Sequence, residues 1–236
     1  MEKINMSEEP DEYFEAVFSK SNKFTEAEYL DHVENFDLIY RAYMPNNKDV
    51  NILDVGCGCG HFLYYLKHKG YNNFKGIDIS AQQVEFCKQK IAAEIINADA
   101  FEFLTEHKEE FDLIVSHDVL EHIKKEEVIE FLKLIYSALK PGGQVFLRTP
   151  NCGNPMSIRL RYADFTHEFC VTEKSFYQIL YMAGFRTIKL LPSIDKGFFN
   201  KIIAKSIRFI LAKLMWYQGF VAPKILTSVI FAIAKK

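Results

Sequence analysis

The sequence predicts an α/β protein with a Rossmann-like, doubly wound sheet of mostly parallel strands. Between Val50 and Thr149, short apolar runs alternate with amphipathic segments, and the first apolar run ends in a glycine-rich turn. Such alternation is typical of a parallel sheet covered by helices on both faces. The composition agrees, because 49% hydrophobic and 25% charged residues describe an ordinary globular chain. A length of 236 residues fits one such domain with additions.

Hydrophobic periodicity assigns the individual elements. Residues 150–171 lack periodicity, so we expect a long loop over the carboxyl edge of the sheet, where such folds bind ligands. Pro141-Gly142-Gly143 predicts a turn. Strands are expected at 50–55, 74–79, 94–97, 111–116, 144–149, 185–191 and 225–234, and helices at 26–43, 61–69, 81–92, 124–139 and 172–183.

This pattern divides the chain into three regions. Residues 1–45 form a helical lead-in, and residues 46–195 form the Rossmann-like domain. Residues 196–236 contain a basic amphipathic helix, inserted before the last strand of the sheet.

Composition also narrows the class of partner and the compartment. The formal net charge of -2 gives no general reason to expect nucleic-acid binding. The first twelve residues are polar and acidic, unlike a secretory leader, and the cysteine count is the odd number five, so we expect a cytoplasmic protein. Cys57 and Cys59 are closer together than a zinc-binding CxxC pair, and they are expected to be small buried turn residues.

The glycine-rich turn is the most informative segment of the sequence. Asp54 stands two residues before Gly56, and Gly58 and Gly60 follow at alternate positions. Glycine lets the backbone adopt conformations that are closed to other residues and approach a ligand closely. The GxGxG spacing differs from the GxGxxG pattern of dinucleotide-binding turns. A buried carboxylate beside such a turn suits a cationic group of a ligand.

Two further acidic residues follow predicted strands. Asp78 stands about 20 residues after the glycine turn, where a carboxylate typically accepts hydrogen bonds from ribose hydroxyls. Asp99 follows the third strand, where it is expected either to contact the amine of an adenine or to cap the next helix. Ala100 and Phe101 would supply apolar contacts.

Five ordered motifs between residues 50 and 151 resemble those of class I S-adenosylmethionine-dependent methyltransferases. They read DVGCGCG, GIDIS, NADAF, FDLIVSHDVLEHI and LKPGGQVFLRTPN. The resemblance implies a seven-stranded sheet with an antiparallel last strand and S-adenosylmethionine as the cofactor. The cofactor contacts that it implies are Asp54, Gly56, Gly58, Gly60, Asp78, Ile79, Asp99, Ala100 and His117.

Two segments bear on the acceptor of the methyl group. HDVLEHI is similar to the equivalent stretch of ubiquinone-biosynthesis O-methyltransferases, and RYADFTHEFCVTEKSF resembles methyltransferases of bacterial surface-polysaccharide and glycolipid synthesis. The resemblance implies O-methylation of a sugar or lipid-linked glycan intermediate. Methylation of a phenol, a quinone-like compound or an amine is the first alternative, and a non-catalytic cofactor-binding module is the second.

A hydroxyl acceptor is a weak nucleophile, so a base is expected near it. Histidine suits this role because it titrates near neutral pH, and His122 and His167 both fall at the predicted ligand edge. An alternative for the first of them is a magnesium site, since Asp118, Glu121 and His122 match the acid-xx-acid-His pattern of some ubiquinone-pathway relatives.

The last region has an uneven charge distribution. After Asp195 the chain holds eight cationic residues and no acidic residue. Within residues 199–217, one helical face is apolar and Lys201, Lys205 and Arg208 share another. This pattern predicts peripheral association with the inner face of the cell membrane. Packing of the helix on the sheet or on a second subunit is the alternative. The apolar face comprises Phe199, Ile203, Ile207, Ile210, Leu214 and Tyr217.

Overall fold

The structure is a computed structural model that describes residues 25–91, 93–194 and 196–236, apart from the side chain of Phe198. Most of the predicted lead-in therefore lies outside the described residues, as do Ala92 and Asp195. None of the helices in the described part of the chain is long and apolar enough to cross a membrane.

Seven strands form one sheet in the described residues, in the order β3-β2-β1-β4-β5-β7-β6. Strands β1 to β5 run parallel, and β7 is antiparallel to both of its neighbours. The predicted sheet and its antiparallel last strand are confirmed. The strands are β1 (Ile52–Val55), β2 (Phe74–Asp78), β3 (Glu94–Asn97), β4 (Phe111–His117), β5 (Leu139–Pro150), β6 (Thr187–Pro192) and β7 (Val229–Lys235).

Helices cover both faces of this sheet. One apolar cluster joins the sheet to α4, α5 and α7, and a second cluster joins the opposite face to α1, α2 and α3. The helices are α1 (Glu26–Tyr40), α2 (His61–His68), α3 (Ala81–Lys90), α4 (Ala100–Glu106), α5 (Val128–Ala138), α6 (Ile158–Ala163), α7 (Glu173–Met182) and α8 (Phe198–Tyr217), with 3-10 turns at Leu120–His122 and Pro155–Ser157.

The structure corrects two sequence predictions. The expected turn at residues 141–143 lies within β5 as a bulge, because the pairing with β4 jumps from Leu139 to Gln144 and Gly142 has a φ of 80°. The predicted loop 150–171 contains α6 and a 3-10 turn, although none of the residues of α6 is buried.

Helix α1 closes the cofactor side of the sheet. Tyr40 is fully buried and stacks on Phe146 of β5, with ring centroids 4.6 Å apart. The Tyr29 hydroxyl donates a hydrogen bond of 2.7 Å to the carbonyl of Cys59 in the glycine turn. The predicted lead-in helix is therefore tied directly to the turn that the sequence singled out.

The loop after β5 is closed at its two ends. Cys152 and Cys170 form a disulfide, and the amide of Cys152 donates to the carbonyl of Val171. The cysteine count had pointed to a reducing compartment and did not anticipate this pair. As expected, Cys57 and Cys59 are buried free thiols of the turn.

Candidate active site

The glycine turn has the backbone that its sequence predicts. Gly56, Gly58 and Gly60 all have positive φ, at 71°, 53° and 82°. A Cβ atom on Gly56 would lie 2.2 Å from Cγ2 of Val119, which leaves no room for a side chain. The amides of Gly56 and Cys57 both donate to the carbonyl of Ile77, so the turn is fixed against β2. This arrangement provides a rigid backbone cradle at the carboxyl end of β1.

Asp78 organises the same turn from the end of β2. Its Oδ2 accepts a 2.8 Å hydrogen bond from the amide of Gly58, and its Oδ1 accepts one of 2.9 Å from the amide of Ser80. Burial raises the pKa of Asp78, and its backbone hydrogen bonds oppose that shift. Beside it, burial and the charge of Asp78 raise the pKa of Asp54 to about 8. A cationic ligand group next to Asp54 would stabilise its ionised form.

The next two strand ends complete the cradle. The side-chain amide of Asn97 donates to the carbonyls of Asp78 and Ile79, and it thereby joins β3 to β2 at the edge. The Ile79 side chain is 44% exposed there, an apolar surface beside the turn. Asp99 accepts hydrogen bonds from the amides of Phe101 and Glu102, so it caps α4. Ala100, the first residue of α4, is partly buried.

His117 lies at the end of β4, and its side chain is engaged with α1. Its Nε2 lies 2.7 Å from the Tyr40 hydroxyl, and its ring stacks on that of Phe36. Burial lowers the pKa of His117 well below its usual value, so the ring is neutral. The imidazole therefore fastens α1 to the sheet, which leaves the backbone of His117 as the group that can contact a cofactor.

Asp118 follows at the start of the next turn, and it has a positive φ of 54°. Arg148 holds its carboxylate through two contacts, Nε to Oδ1 at 3.0 Å and a second nitrogen to Oδ2 at 2.6 Å. Asp118, one of the three predicted magnesium ligands, is therefore already paired with Arg148. Among the described residues, the convergent ligand atoms nearest to that trio belong instead to Glu121, His122 and His167. The acid-xx-acid-His pattern alone therefore does not describe a ready-made magnesium site.

The two candidate bases lie next to each other. The ring centroids of His122 and His167 are 4.7 Å apart in an edge-to-face arrangement. His122 also contacts Thr166, which is 44 residues further along the sequence. The Thr166 hydroxyl donates to Oδ1 of Asp164 at 2.7 Å, and it lies 2.8 Å from Nδ1 of His122. Because that hydroxyl donates its proton to Asp164, it accepts one from His122. Nδ1 of His122 therefore carries a proton, and Nε2 retains a lone pair.

The surroundings of His122 keep it neutral. Burial, and after it the neighbouring His167, lower the pKa of His122 to about 4. Nδ1 of His167 lies 2.8 Å from the carbonyl of Leu160, which can only accept, so Nδ1 of this imidazole donates the hydrogen bond. Glu121 is buried beneath the pair and accepts a 3.0 Å hydrogen bond from the Thr149 hydroxyl.

Sequence reasoning placed both histidines at this edge but missed the groups that orient them. Thr166 was not singled out, although the run Asp164-Phe165-Thr166 is a short polar turn in which the carboxylate binds the amide two residues on. Arg148 and Tyr40 were missed because their roles depend on partners that are 30 and 77 residues away.

Comparison with known proteins identifies the family. A family model described as a methyltransferase domain matches residues 27–190. A mitochondrial ubiquinone biosynthesis O-methyltransferase of Rattus norvegicus is 32% identical over 112 residues, which are 43% of this chain and 31% of that protein. A tRNA U34 carboxymethyltransferase of Campylobacter curvus is 28% identical over 61% of this chain and 44% of its own length. The chain thus spans less than half the length of either relative.

Solved structures give the same result for the fold. A SAM-dependent methyltransferase from Archaeoglobus fulgidus is 28% identical with a TM-score of 0.65, over 86% of this chain and 94% of that one. A phosphoethanolamine N-methyltransferase 2 of Haemonchus contortus was solved with S-adenosylhomocysteine. It is 21% identical with a TM-score of 0.59, over 88% of this chain and 52% of that one, and shows the likeness of fold alone. With its glycine cradle and strand-end carboxylates, the chain belongs to the S-adenosylmethionine-dependent methyltransferases.

Proposed function

We propose that this methyltransferase acts on a hydroxyl group of a sugar or lipid-linked glycan intermediate. The observation that carries the proposal is the hydrogen-bond chain from Asp164 through Thr166 to Nδ1 of His122, which orients this imidazole at the acceptor edge as a proton acceptor. A hydroxyl needs such a proton acceptor, whereas a neutral amine is already nucleophilic. The choice of a sugar rests on the resemblance of residues 161–176 to methyltransferases of polysaccharide and glycolipid synthesis.

The cofactor supplies a methyl group from a sulfonium ion, and the chain supplies its binding site. In this proposal the glycine turn holds the amino-acid end, with Asp54 facing the ammonium and Asp78 near the ribose. Ile79 covers one side of the nucleoside, and Asp99 and Ala100 flank the adenine. The fit rests on the positive φ angles of the turn and on the buried, raised-pKa carboxyl of Asp54.

The proposed step balances with the groups present. With the cofactor bound, the acceptor oxygen would form a bond to the methyl carbon as the carbon–sulfur bond breaks, which would leave a neutral thioether. The hydroxyl proton passes to Nε2 of His122. Burial and His167 disfavour the imidazolium that results, and Asp164 opposes them through Thr166, since a carboxylate at the end of a hydrogen-bond chain favours the charged ring.

An acceptor panel tests the proposal. Purified chain with S-adenosylmethionine is incubated with nucleotide sugars, lipid-linked sugars, phenols, quinols, amines and tRNA, and products are analysed by mass spectrometry. We expect a gain of one methylene unit on a sugar hydroxyl. Modification of a phenol or quinol favours the alternative that the ubiquinone-pathway relative suggests. Methylation of tRNA or of an amine contradicts the proposal, and binding without any product supports a non-catalytic module.

Cofactor binding should release a proton from Asp54. Below its pKa of about 8, Asp54 is mostly protonated in the free protein, and the ammonium of the cofactor favours the ionised form. Affinity should therefore increase with pH, by up to about tenfold per unit between pH 5.5 and 7, where an α-ammonium stays protonated. Calorimetry in buffers of different ionisation enthalpy measures the released proton. The Asp54→Asn variant should bind more weakly and lose both effects, and an identical pH slope in this variant would remove Asp54 from the ammonium site.

A further inference from the structure

Helix α8 exposes most of its apolar side chains. None of its described side chains is buried, although it extends over 20 residues. Trp216 is 73% exposed and Tyr217 81% exposed, and Val221 just beyond the helix is 95% exposed. A soluble domain rarely leaves so many large apolar side chains together in water. The predicted alternative, packing on the sheet, is therefore not the role that the structure gives this helix.

A second exposed apolar segment lies at the same edge of the sheet. Pro150 at the end of β5 pairs with Val229, and Pro192 at the end of β6 pairs with Ile230. The loop that holds α6 and the segment that holds α8 therefore both leave the sheet at the carboxyl edge. In the loop, Phe165 is 91% exposed. Met156, Ile158 and Tyr162 of the same loop are also exposed.

Hydrogen bonds join these two segments. The side-chain amide of Asn151 donates to the carbonyls of Ile225 and Thr227, and that of Asn154 donates to the carbonyl of Leu226. The start of the loop that holds α6 is thus fixed to the segment that connects α8 to β7. At the other end of α8, Lys196 is held by Asp31 and Glu34 of α1, with nitrogen–oxygen distances of 2.6 and 3.2 Å.

The charges on these segments are mostly of one sign. Helix α8 carries Lys201, Lys205, Arg208 and Lys213, and the region from 196 to the end has no acidic residue. Helix α6 adds Arg159 and Arg161. Asp164 is the first acid after them, and its Oδ1 accepts bonds from Thr166. A cationic surface that also exposes aromatic and aliphatic side chains complements an anionic lipid headgroup layer. A second copy of this chain would bring the same cations face to face.

We propose that α8 and the α6 loop form one docking face for an anionic phospholipid bilayer. Helix α8 lies in the plane of the headgroups, because lysines interrupt its apolar surface and it cannot cross the membrane. The face adjoins His122 and His167, so a membrane-bound acceptor would reach the methyl-transfer site without leaving the bilayer surface. Docking is independent of the proposed acceptor, and only this delivery of a lipid-linked hydroxyl depends on the proposed function.

Trp216 is the only tryptophan of the sequence, which makes the proposal directly measurable. The full chain is mixed with vesicles of phosphatidylcholine alone or with added phosphatidylglycerol, without cofactor or acceptor. We expect sedimentation with the anionic vesicles, a blue shift of Trp216 emission and quenching by brominated lipid. Binding should weaken as salt screens the charges. Absence of binding to anionic vesicles at low salt overturns the proposal, whether or not the enzyme methylates a glycan.

Charge variants separate specific docking from general basicity. Replacing Lys201, Lys205, Arg208 and Lys213 with glutamine should lower partitioning by about 100-fold or more, since each basic residue near an anionic surface contributes. The matched control replaces the exposed Lys67, Lys88, Lys108 and Lys133, and it should bind like the wild type. Retained S-adenosylhomocysteine binding verifies that each variant is folded. Equal loss in both variants overturns the proposal, as does a lipid-free dimer, seen by ultracentrifugation, that buries Trp216.

Discussion

The His122→Ala variant should lose about 100-fold or more in kcat while it binds S-adenosylmethionine normally. The variant removes the imidazole that the Thr166 hydrogen bond orients to take the proton of the acceptor hydroxyl. Cofactor affinity should be unchanged, because His122 belongs to the 3-10 turn after β4 and not to the glycine cradle. Steady-state kinetics on the acceptor found by the panel, together with calorimetry of cofactor binding, measure the two quantities separately.

Three further variants test how His122 works. His68→Ala is the matched control, since that histidine is exposed at the far end of α2, and its activity should equal the wild type. Thr166→Val keeps the imidazole but frees Nδ1, so kcat should decrease by about tenfold, and Thr166→Ser should restore it. If His122→Ala retains full turnover while His167→Ala does not, the roles of the two imidazoles are exchanged. Loss of activity on chelation, restored by added metal, would instead support a metal site at this edge.

Substituting Gly56 with alanine should destabilise the fold and abolish cofactor binding together. An alanine at φ 71° costs about 1–2 kcal/mol. Its Cβ would also lie 2.2 Å from the β-branched Val119, and such overpacking costs a further 1–3 kcal/mol or so. We therefore expect the free energy of unfolding to fall by about 2–5 kcal/mol. Denaturant unfolding and titration with S-adenosylhomocysteine measure the two effects.

Gly70 provides a control with the same backbone and no contact. Its φ is 75°, and no atom lies within 4 Å of the position of an added Cβ. Gly70→Ala should lose only the backbone contribution of about 1–2 kcal/mol and bind the cofactor normally. Adding Val119→Ala to Gly56→Ala should recover part of the lost stability, because it removes the clash. Similar losses in Gly56→Ala and Gly70→Ala would show that close packing at the turn is unimportant.

The sequence by itself predicted the fold and the set of strand-end residues that we propose to hold the cofactor. A parallel sheet makes apolar runs and turns alternate within about 100 residues, and each cofactor group follows its own strand. Gly56, Gly58 and Gly60 lie within five consecutive residues, so the need for positive φ is visible without tertiary contacts. Asp54 and Asp78 were found for the same reason. At residues 141–143 the sequence signal for a turn corresponds to a bulge, since Gly142 has a positive φ while β5 continues on both sides of it.

Tertiary structure alone decided the acceptor half. Folding joins His122 to Thr166 and Asp164. It also pairs Asp118 with Arg148, so that this carboxylate does not join Glu121 and His122 as the magnesium pattern predicted. Such side-chain contacts leave no periodic pattern in the sequence, because each depends on the path that a loop takes over the sheet. The exposure of α8 was likewise undetermined, since an amphipathic pattern is equally compatible with packing on the domain. The pairing of β5, β6 and β7 shows that the segment with α8 leaves the sheet at the same edge as the site, because strand direction fixes the edge from which each connection leaves.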